Sequence, residues 1–469
     1  MGTLRTACVA MVGLALFGAF AAPGDELRRR GIIGAHLGPL TAELRERHGL
    51  SADAEGAFVM GVTPNGAAAA AGVKAGDLIQ AIGDVATPNQ STFSAAMRAY
   101  YAGDAVPLKI RRGDQALTID VKLVPMPRET SESFDIVYGH VVSGGNKLRT
   151  IITRPRAAPT TSPADAPAPE PKRPGLLFIQ GLSCGPVDGV PLYQNFLYEL
   201  TRRGVITMRV EKPGAGDSEG GPCSEINFQQ ELDGYRQALR ALKQLGDVDP
   251  ARVFIFGHSM GGIMGPLLAA EEPVRGVAVY GTGFKTWLEY CLENTRRQAV
   301  LGGMDYEQVE ALLRNETLFD AEFLVARKSP REIREQHPDL RAYLDELVQA
   351  DTYIFGRHYT FFQQLQDVKL AEAWGRVGCD VLAMWGTSDF VTCEKDHEAI
   401  ADAANRRAPG AGRYVRLPGT DHGFARNASP EESLRAGMQG EYSIAVTDTL
   451  VAWVLEVAGR PARAAVQQK

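Results

Sequence analysis

From about Phe134 onward, short apolar runs alternate with longer stretches in which apolar residues fall three and four apart. The runs Gly175–Leu182, Val205–Val210, Val253–Phe256, 276–283, Val381–Trp385 and Tyr414–Leu417 are rich in β-branched and aromatic residues. Such near-continuous runs suit strands covered on both faces, as in a parallel sheet. The alternation predicts an α/β architecture, a mostly parallel central sheet with helices on its faces. Between 283 and Val381 the pattern turns helical: Thr286 to Gln298, Tyr306 to Leu318 and Pro338 to Leu347. That insertion, 284–375, far exceeds an ordinary connection and predicts helices of its own.

The front of the chain has a different texture. Arg30 to Pro125 is rich in Gly and Ala and carries short strand-like runs. A helix near Ala67 leads into Gly72, and Gly76-Asp77 turns the chain into the strand Leu78 to Ile82. A second helix, near Thr92 to Tyr101, places Phe93, Met97 and Tyr100 at helical spacing. A short link, Met126 to Ser133, follows. Ala157 to Pro174 is Pro/Ala-rich and poor in core-forming residues, and reads as an excursion between two strands.

The chain begins with one basic residue, Arg5, then an uncharged run from Thr6 to Ala22. The run ends on Ala19-Phe20-Ala21, an A-x-A-like cleavage pattern, so residues 1–22 read as a signal peptide. A retained anchoring helix is the alternative. Either way a periplasmic or secreted location is expected. The formal net charge of −6 offers no basic face for a nucleic acid. Of six cysteines, Cys8 lies in the leader; the other five show no zinc-type spacing, so neither a metal nor another cofactor is expected.

The densest chemistry is Arg252 to Gly262, RVFIFGHSMGG: an apolar strand, then G-x-S-x-G, then a helical stretch. That context makes the pentapeptide a nucleophile elbow, with Ser259 on a turn that excludes side chains two positions either side. The Met260 N–H then stands at the helix start, where oxyanion charge is stabilised. A serine needs a base and an orienter for it, in the chain order Ser, acid, His. Asp389 follows the strand Val381 to Trp385, and His422 follows Tyr414 to Leu417. His258 should point away from Ser259, and Asp421 is too near His422 in sequence to cradle its ring.

These elements resemble the α/β-hydrolase superfamily over roughly Phe134 onward (134–460), especially the G-T-x-D around Asp389 and the P-G-x-D-H-x-F around His422. The resemblance implies that Ser259 is the nucleophile, His422 the general base and acid, and Asp389 its orienter, and that the insertion 284–375 is a cap over the site. Gln180-Gly181 stands where many relatives have His-Gly, and Leu182 N–H becomes the second oxyanion donor. The loop after Val210 resembles a G-x-G-x-S fold signature and is assigned no catalytic part. Cys184 and Cys223 follow neighbouring strands, which together with export suggests a bridge between them.

The front block, 30–125, resembles a PDZ domain of bacterial periplasmic proteases through Gly31-Ile32-Ile33-Gly34, Val62 to Gly72, and Ala75-Gly76-Asp77-Leu78-Ile79. The resemblance implies that Ile32, Ile33 and Gly34 hold a peptide C-terminal carboxylate while the peptide adds a strand. The expected activity is hydrolysis of a small carboxylic ester through an acyl-enzyme. A peptidase is the alternative, and Glu289 and Glu293, four apart in the cap, then bind an amino group; otherwise the pair is a solvated helix face. A binding protein with a silent hydrolase fold is a third reading. Phe355, Tyr359, Phe361 and Phe362 either line an acyl pocket or pack the cap. Membrane contact is expected only if the leader is retained.

Overall fold

The computed structural model describes residues 27–156, 171–461 and 463. The leader and most of the Pro/Ala-rich stretch lie outside the described residues. No described helix is long and apolar enough to cross a membrane.

The front block is an antiparallel sheet in the order β1 (Ala35–Gly38), β2 (Ala57–Val62), β3 (Leu78–Ile82), β4 (Ala105–Arg112) and β5 (Gln115–Lys122). Helix α1 (Ala67–Ala71) stops at Gly72, whose φ of 89° only glycine adopts readily. The expected second helix, α2, runs Gln90–Met97. It starts earlier than its apolar spacing suggested because Asn89 and Thr92 form a capping box, and it ends before Tyr100. Phe93 from α2 packs with Val59, Ile79, Leu108 and Val121 in a core of its own.

Eight strands form the larger sheet: β6 (Phe134–Ser143), β7 (Asn146–Pro155), β8 (Arg173–Ile179), β9 (Ile206–Val210), β10 (Val248–His258), β11 (Gly276–Tyr280), β12 (Asp380–Gly386) and β13 (Gly412–Leu417). Their spatial order is β13-β12-β11-β10-β8-β9-β7-β6. The pairs from β9 through β13 are parallel, and β6 and β7 add an antiparallel edge. Successive side chains of a strand point to opposite faces. Leu177, Ile255, Val277 and Val381 therefore pack on one side with α4 (Phe228–Gln244) and α5 (Met260–Glu271). Leu176, Phe254, Ala278 and Leu382 pack on the other with α3 (Pro191–Arg202) and α11 (Ile444–Ala458).

Between β11 and β12 stands the cap. Its first two helices, α6 (Trp287–Leu301) and α7 (Tyr306–Asp320), start at Thr286 and Asp305, both in capping boxes. Three two-residue strands, Val348–Gln349, Tyr353–Ile354 and Arg357–His358, form a small sheet that the helical pattern did not foretell. Next come α8 (Thr360–Gln366) and α9 (Leu370–Arg376); α10 (Glu394–Arg407) follows β12. Cap side chains Phe319, Phe361 and Phe362 join the core of the sheet's first face.

The front block docks on the larger unit. Arg29 pairs with Asp217 at 2.6 Å, and the Arg30 N–H donates to the same carboxylate at 2.8 Å. In the link, Glu129 meets the buried Arg209 at 2.6 Å. Cys184 and Cys223 are joined by a disulfide.

Candidate active site

Ser259 closes β10 and opens α5 with φ 54° and ψ −121°. A non-glycine residue in that region is strained and is held there by its surroundings. The flanking glycines show what holds it. A Cβ on Gly257 would lie 2.3 Å from the Gly261 carbonyl oxygen, and one on Gly261 would lie 2.1 Å from that of Ile179. The backbone therefore bends tightly enough to push the Ser259 side chain outward.

His422, on the loop after β13, places Nε2 3.1 Å from Ser259 Oγ. Its Nδ1 lies 3.0 Å from Asp389 Oδ2, on the loop after β12. The Asp389 carboxylate also accepts from the N–H groups of Val391 (2.7 Å) and Thr392 (2.9 Å) and from the Thr392 hydroxyl (2.6 Å). Burial pushes this carboxyl up, but His422 and the Thr392 bonds outweigh it and hold the group at about 2. Asp389 is thus an anion fixed at one edge of the imidazole.

The flanking residues serve the loops. His258 Nε2 lies 2.9 Å from the His422 carbonyl oxygen, and its ring packs on Phe424. Burial, then neighbouring His422, drives its imidazole down to about 3, so it stays neutral. Asp421 accepts from Ala425 N–H, Asn427 and Ser433, which pins the His422 loop. Gly281 passes so close that a Cβ there would lie 2.9 Å from His422 Nδ1.

Leu182, Ser259, Met260 and His422 line one cavity of about 330 Å³. Met260 is the first residue of α5, and the first N–H groups of a helix have no intrahelical acceptor. Gly181 lets the strand end approach: its Cβ would stand 3.1 Å from that of Ser259. A buried set of charges, not evident from the sequence pattern, holds this segment. Lys212 Nζ donates to the Gly181 carbonyl at 2.6 Å and lies 2.9 Å from Glu231. Arg357 pairs with Glu231 at 2.7 Å and donates to the Leu182 carbonyl at 3.2 Å. All three charged side chains are buried. The signal was present in part, since Lys212 sits inside the loop read as a fold signature.

Cap residues close the cavity: Trp287, Tyr290, Cys291, Phe355 and Leu365. Of the four aromatic residues singled out in the sequence, Phe355 lines it, whereas Phe361 and Phe362 are fully buried in the core and Tyr359 packs beside them. Glu289 and Glu293 do not reach it. Glu289 closes the Thr286 capping box, and Glu293 pairs with Lys285. Among the described residues, ligand-type atoms of Cys291, Glu316 and Asp320 lie within 4.8 Å of one another, and of the three Cys291 and Glu316 line the cavity.

Ile32, Ile33 and Gly34 line a separate cleft of about 720 Å³. The open edge of β1 and helix α2 form one wall through Leu37, Phe93 and Met97; Cys184 and Asp217 of the larger unit form the other.

A family model described as "Alpha/beta hydrolase family" matches residues 176–436, and a PDZ domain model matches residues 31–123. The chain is 22% identical over 231 residues to Esterase EstD of Thermotoga maritima, covering 48% of each chain. It is 31% identical over 104 residues to "Probable periplasmic serine endoprotease DegP-like" of Brucella suis, 22% of this chain and 20% of that one. The chain thus spans about half the length, or less, of these curated relatives. Among solved structures, Est1E from Butyrivibrio proteoclasticus with bound ferulic acid superposes with a TM-score of 0.42 at 15% identity, covering 69% of this chain and 100% of that one. A puromycin-hydrolysing peptidase of Mycobacterium tuberculosis gives a TM-score of 0.44 at 18% identity, covering 77% and 45%.

Proposed function

Because this chain belongs to the alpha/beta hydrolase family and carries a PDZ domain ahead of its hydrolase domain, we propose that it is a serine hydrolase of carboxylic esters. The carrying observation is the unbroken line from Ser259 Oγ through His422 to the buried Asp389. In this reading His422 Nε2 takes the hydroxyl proton as Ser259 Oγ attacks the ester carbonyl carbon. The oxyanion accepts from the N–H groups of Leu182 and Met260. His422 then returns the proton to the leaving alcohol, and the acyl-enzyme is cleared when His422 deprotonates a water. Asp389 holds the imidazole tautomer that makes this relay work.

The ester preference rests on the relative EstD, an esterase by name. The protein acts outside the cytoplasm, a reading supported by the leader-like start and by the Cys184–Cys223 disulfide, a bond that persists in oxidising compartments. The cleft at Ile32, Ile33 and Gly34 takes a peptide C-terminus along the open edge of β1.

The test is fluorophosphonate labelling of purified protein beside Ser259→Ala, followed by turnover of acyl esters and aminoacyl amides. Labelling that vanishes in the variant, with ester hydrolysis, supports the reading. Preference for amides makes the protein a peptidase, and folded protein that resists labelling rejects acyl transfer at Ser259.

A further inference from the structure

The cleft at Ile32, Ile33 and Gly34 and the catalytic cavity share a wall. Leu182 lines the cavity beside Ser259, while Cys184, Gly185 and Pro186 line the cleft. One short segment of the hydrolase domain thus borders both.

That segment is held firmly at its two ends and lightly between them. Lys212 and Arg357 donate to the carbonyls of Gly181 and Leu182 at 2.6 and 3.2 Å. Glu211 accepts from the N–H groups of Val187 (3.0 Å) and Asp188 (3.1 Å). From 183 to 186 the only hydrogen bond among the described residues is a local one, from Gly185 N–H to Ser183 Oγ at 2.9 Å. Ser183 and Pro186 are exposed, and the disulfide to Cys223 ties the span at Cys184. Exposure and sparse hydrogen bonding mark the least ordered part of a segment.

The opposite wall suits an anion. Among the described residues, the N–H groups of Ile33 and Gly34 have no acceptor, and the chain turns there with Gly34 at φ +68°. Successive free N–H groups at a turn form an anion-binding concavity. Arg98, just past α2, lines the same cleft, and among the described residues its guanidinium has no hydrogen bond or ion pair. Burial and the nearby Arg30 oppose its charge, and Glu211 offsets them only in part. Leu37, Phe93 and Met97 set an apolar patch beside these donors. The C-terminus of another polypeptide, with an apolar last residue, answers both the cation and the patch.

We infer that such a C-terminus is an effector of the hydrolase: packed against Cys184, Gly185 and Pro186, it braces the span and steadies the Leu182 N–H for the oxyanion. This rests on the acyl-transfer reading, with Leu182 as a donor, and on peptide capture in the cleft. A donor already ordered loses less freedom when the oxyanion forms, so occupancy of the cleft raises kcat.

The experiment uses the full chain and acetylated hexapeptides ending in valine, leucine or phenylalanine, each as free acid and as C-terminal amide. Calorimetry on Ser259→Ala measures binding, and hydrolysis of p-nitrophenyl butyrate by the wild type measures the effect. At least one acid should bind and raise kcat about tenfold with KM little changed, an ordinary strength for coupling between sites. Its amide should do neither, and Arg98→Gln should cost the acid about tenfold in affinity. By linkage, protein carrying a phosphonate on Ser259 should bind that acid about tenfold more tightly than unmodified protein. An acid that binds yet leaves kcat unchanged or lowered overturns the coupling, as does equal affinity for the phosphonylated and free forms. Acids that bind no better than amides, or lose nothing with Arg98→Gln, overturn the occupant as well. If Ser259 neither labels nor turns over ester while an acid still binds, the acyl-transfer reading falls and takes the coupling with it, and peptide capture alone stands.

Discussion

Lys212 grips the peptide whose other end carries the proposed oxyanion donor. Its Nζ donates to the Gly181 carbonyl oxygen at 2.6 Å, and that carbonyl belongs to the same planar unit as the Leu182 N–H. In a trans peptide the two groups point in opposite directions, so fixing one aims the other. Arg357 fixes the next carbonyl, that of Leu182, and Glu231 binds both cations. A buried triad of charges thus sets the direction of a single N–H.

Lys212→Met should release that peptide while filling much of the same volume. We expect kcat to fall about 10- to 100-fold with little change in KM, since an oxyanion donor acts mainly in the transition state. Arg357 remains on Glu231, so the carboxylate is not left alone and thermal unfolding should show folded protein. Steady-state kinetics on one ester decides it. An unchanged kcat would mean that Leu182 N–H takes no part in the reaction.

Asp389→Asn keeps the shape of the site and removes the anion beside His422 Nδ1. The amide would favour the wrong imidazole tautomer, and kcat should fall about ten-thousandfold. Fluorophosphonate labelling should slow in parallel. Activity within tenfold of the wild type would leave His422 without need of its partner.

How much of this was legible in the sequence depends on where the cause lies. The elbow was legible because Gly257 and Gly261 answer a local steric demand that no other residue meets. Asp389 and His422 were legible because each sits just beyond an apolar strand, at the sheet edge where strand ends converge. The clamp was not. Glu231 and Arg357 are far apart in the chain, and charged residues in isolation read as solvent-facing. The cap was ambiguous in the same way. Glu289 and Glu293 share a helix face with the spacing of Glu316 and Asp320 on the next helix, and only tertiary packing decides which pair is buried. The two-residue strands of the cap are too short to show alternation.

Gly281 tests the tightness of the site from outside the catalytic trio. Its φ of +57° disfavours a side chain, and a Cβ would stand 2.9 Å from His422 Nδ1 and 3.2 Å from Asp389 Oδ2. Gly281→Ala should cost about 1–2 kcal/mol of stability from strain and displace the imidazole enough to lower kcat more than about 100-fold. Chemical denaturation alongside kinetics separates the two effects. Wild-type kinetics in this variant would show that the His422 ring has room to move.

The Cys184–Cys223 bond closes a loop with a sequence separation of 39. Chain-entropy reasoning puts its contribution at about 3–4 kcal/mol. The double variant Cys184→Ser/Cys223→Ser should lose about that much in urea unfolding. Because Cys184 lies two residues beyond Leu182, kcat should fall as well. Equal stability with and without the bond would mean that the native packing alone positions both loops.

The Asp320 carboxyl gives the protein a pH dependence of definite sign. Burial, then Glu316, raises it to about 8, far above the ordinary range for aspartate near 4. Between those limits the folded state holds a proton that the unfolded state has released. Stability therefore falls as pH rises from about 4 to about 8, and the penalty is complete above the folded value. Asp320→Asn removes the titrating group. Its unfolding free energy should exceed that of the wild type at pH 8.5, by an amount on the order of a few kcal/mol, and the gap should shrink steadily toward pH 4. Urea denaturation at pH 4.5, 6.5 and 8.5 measures it. A gap that is flat across that range would mean that Asp320 stays ionised, its charge already balanced in the folded protein.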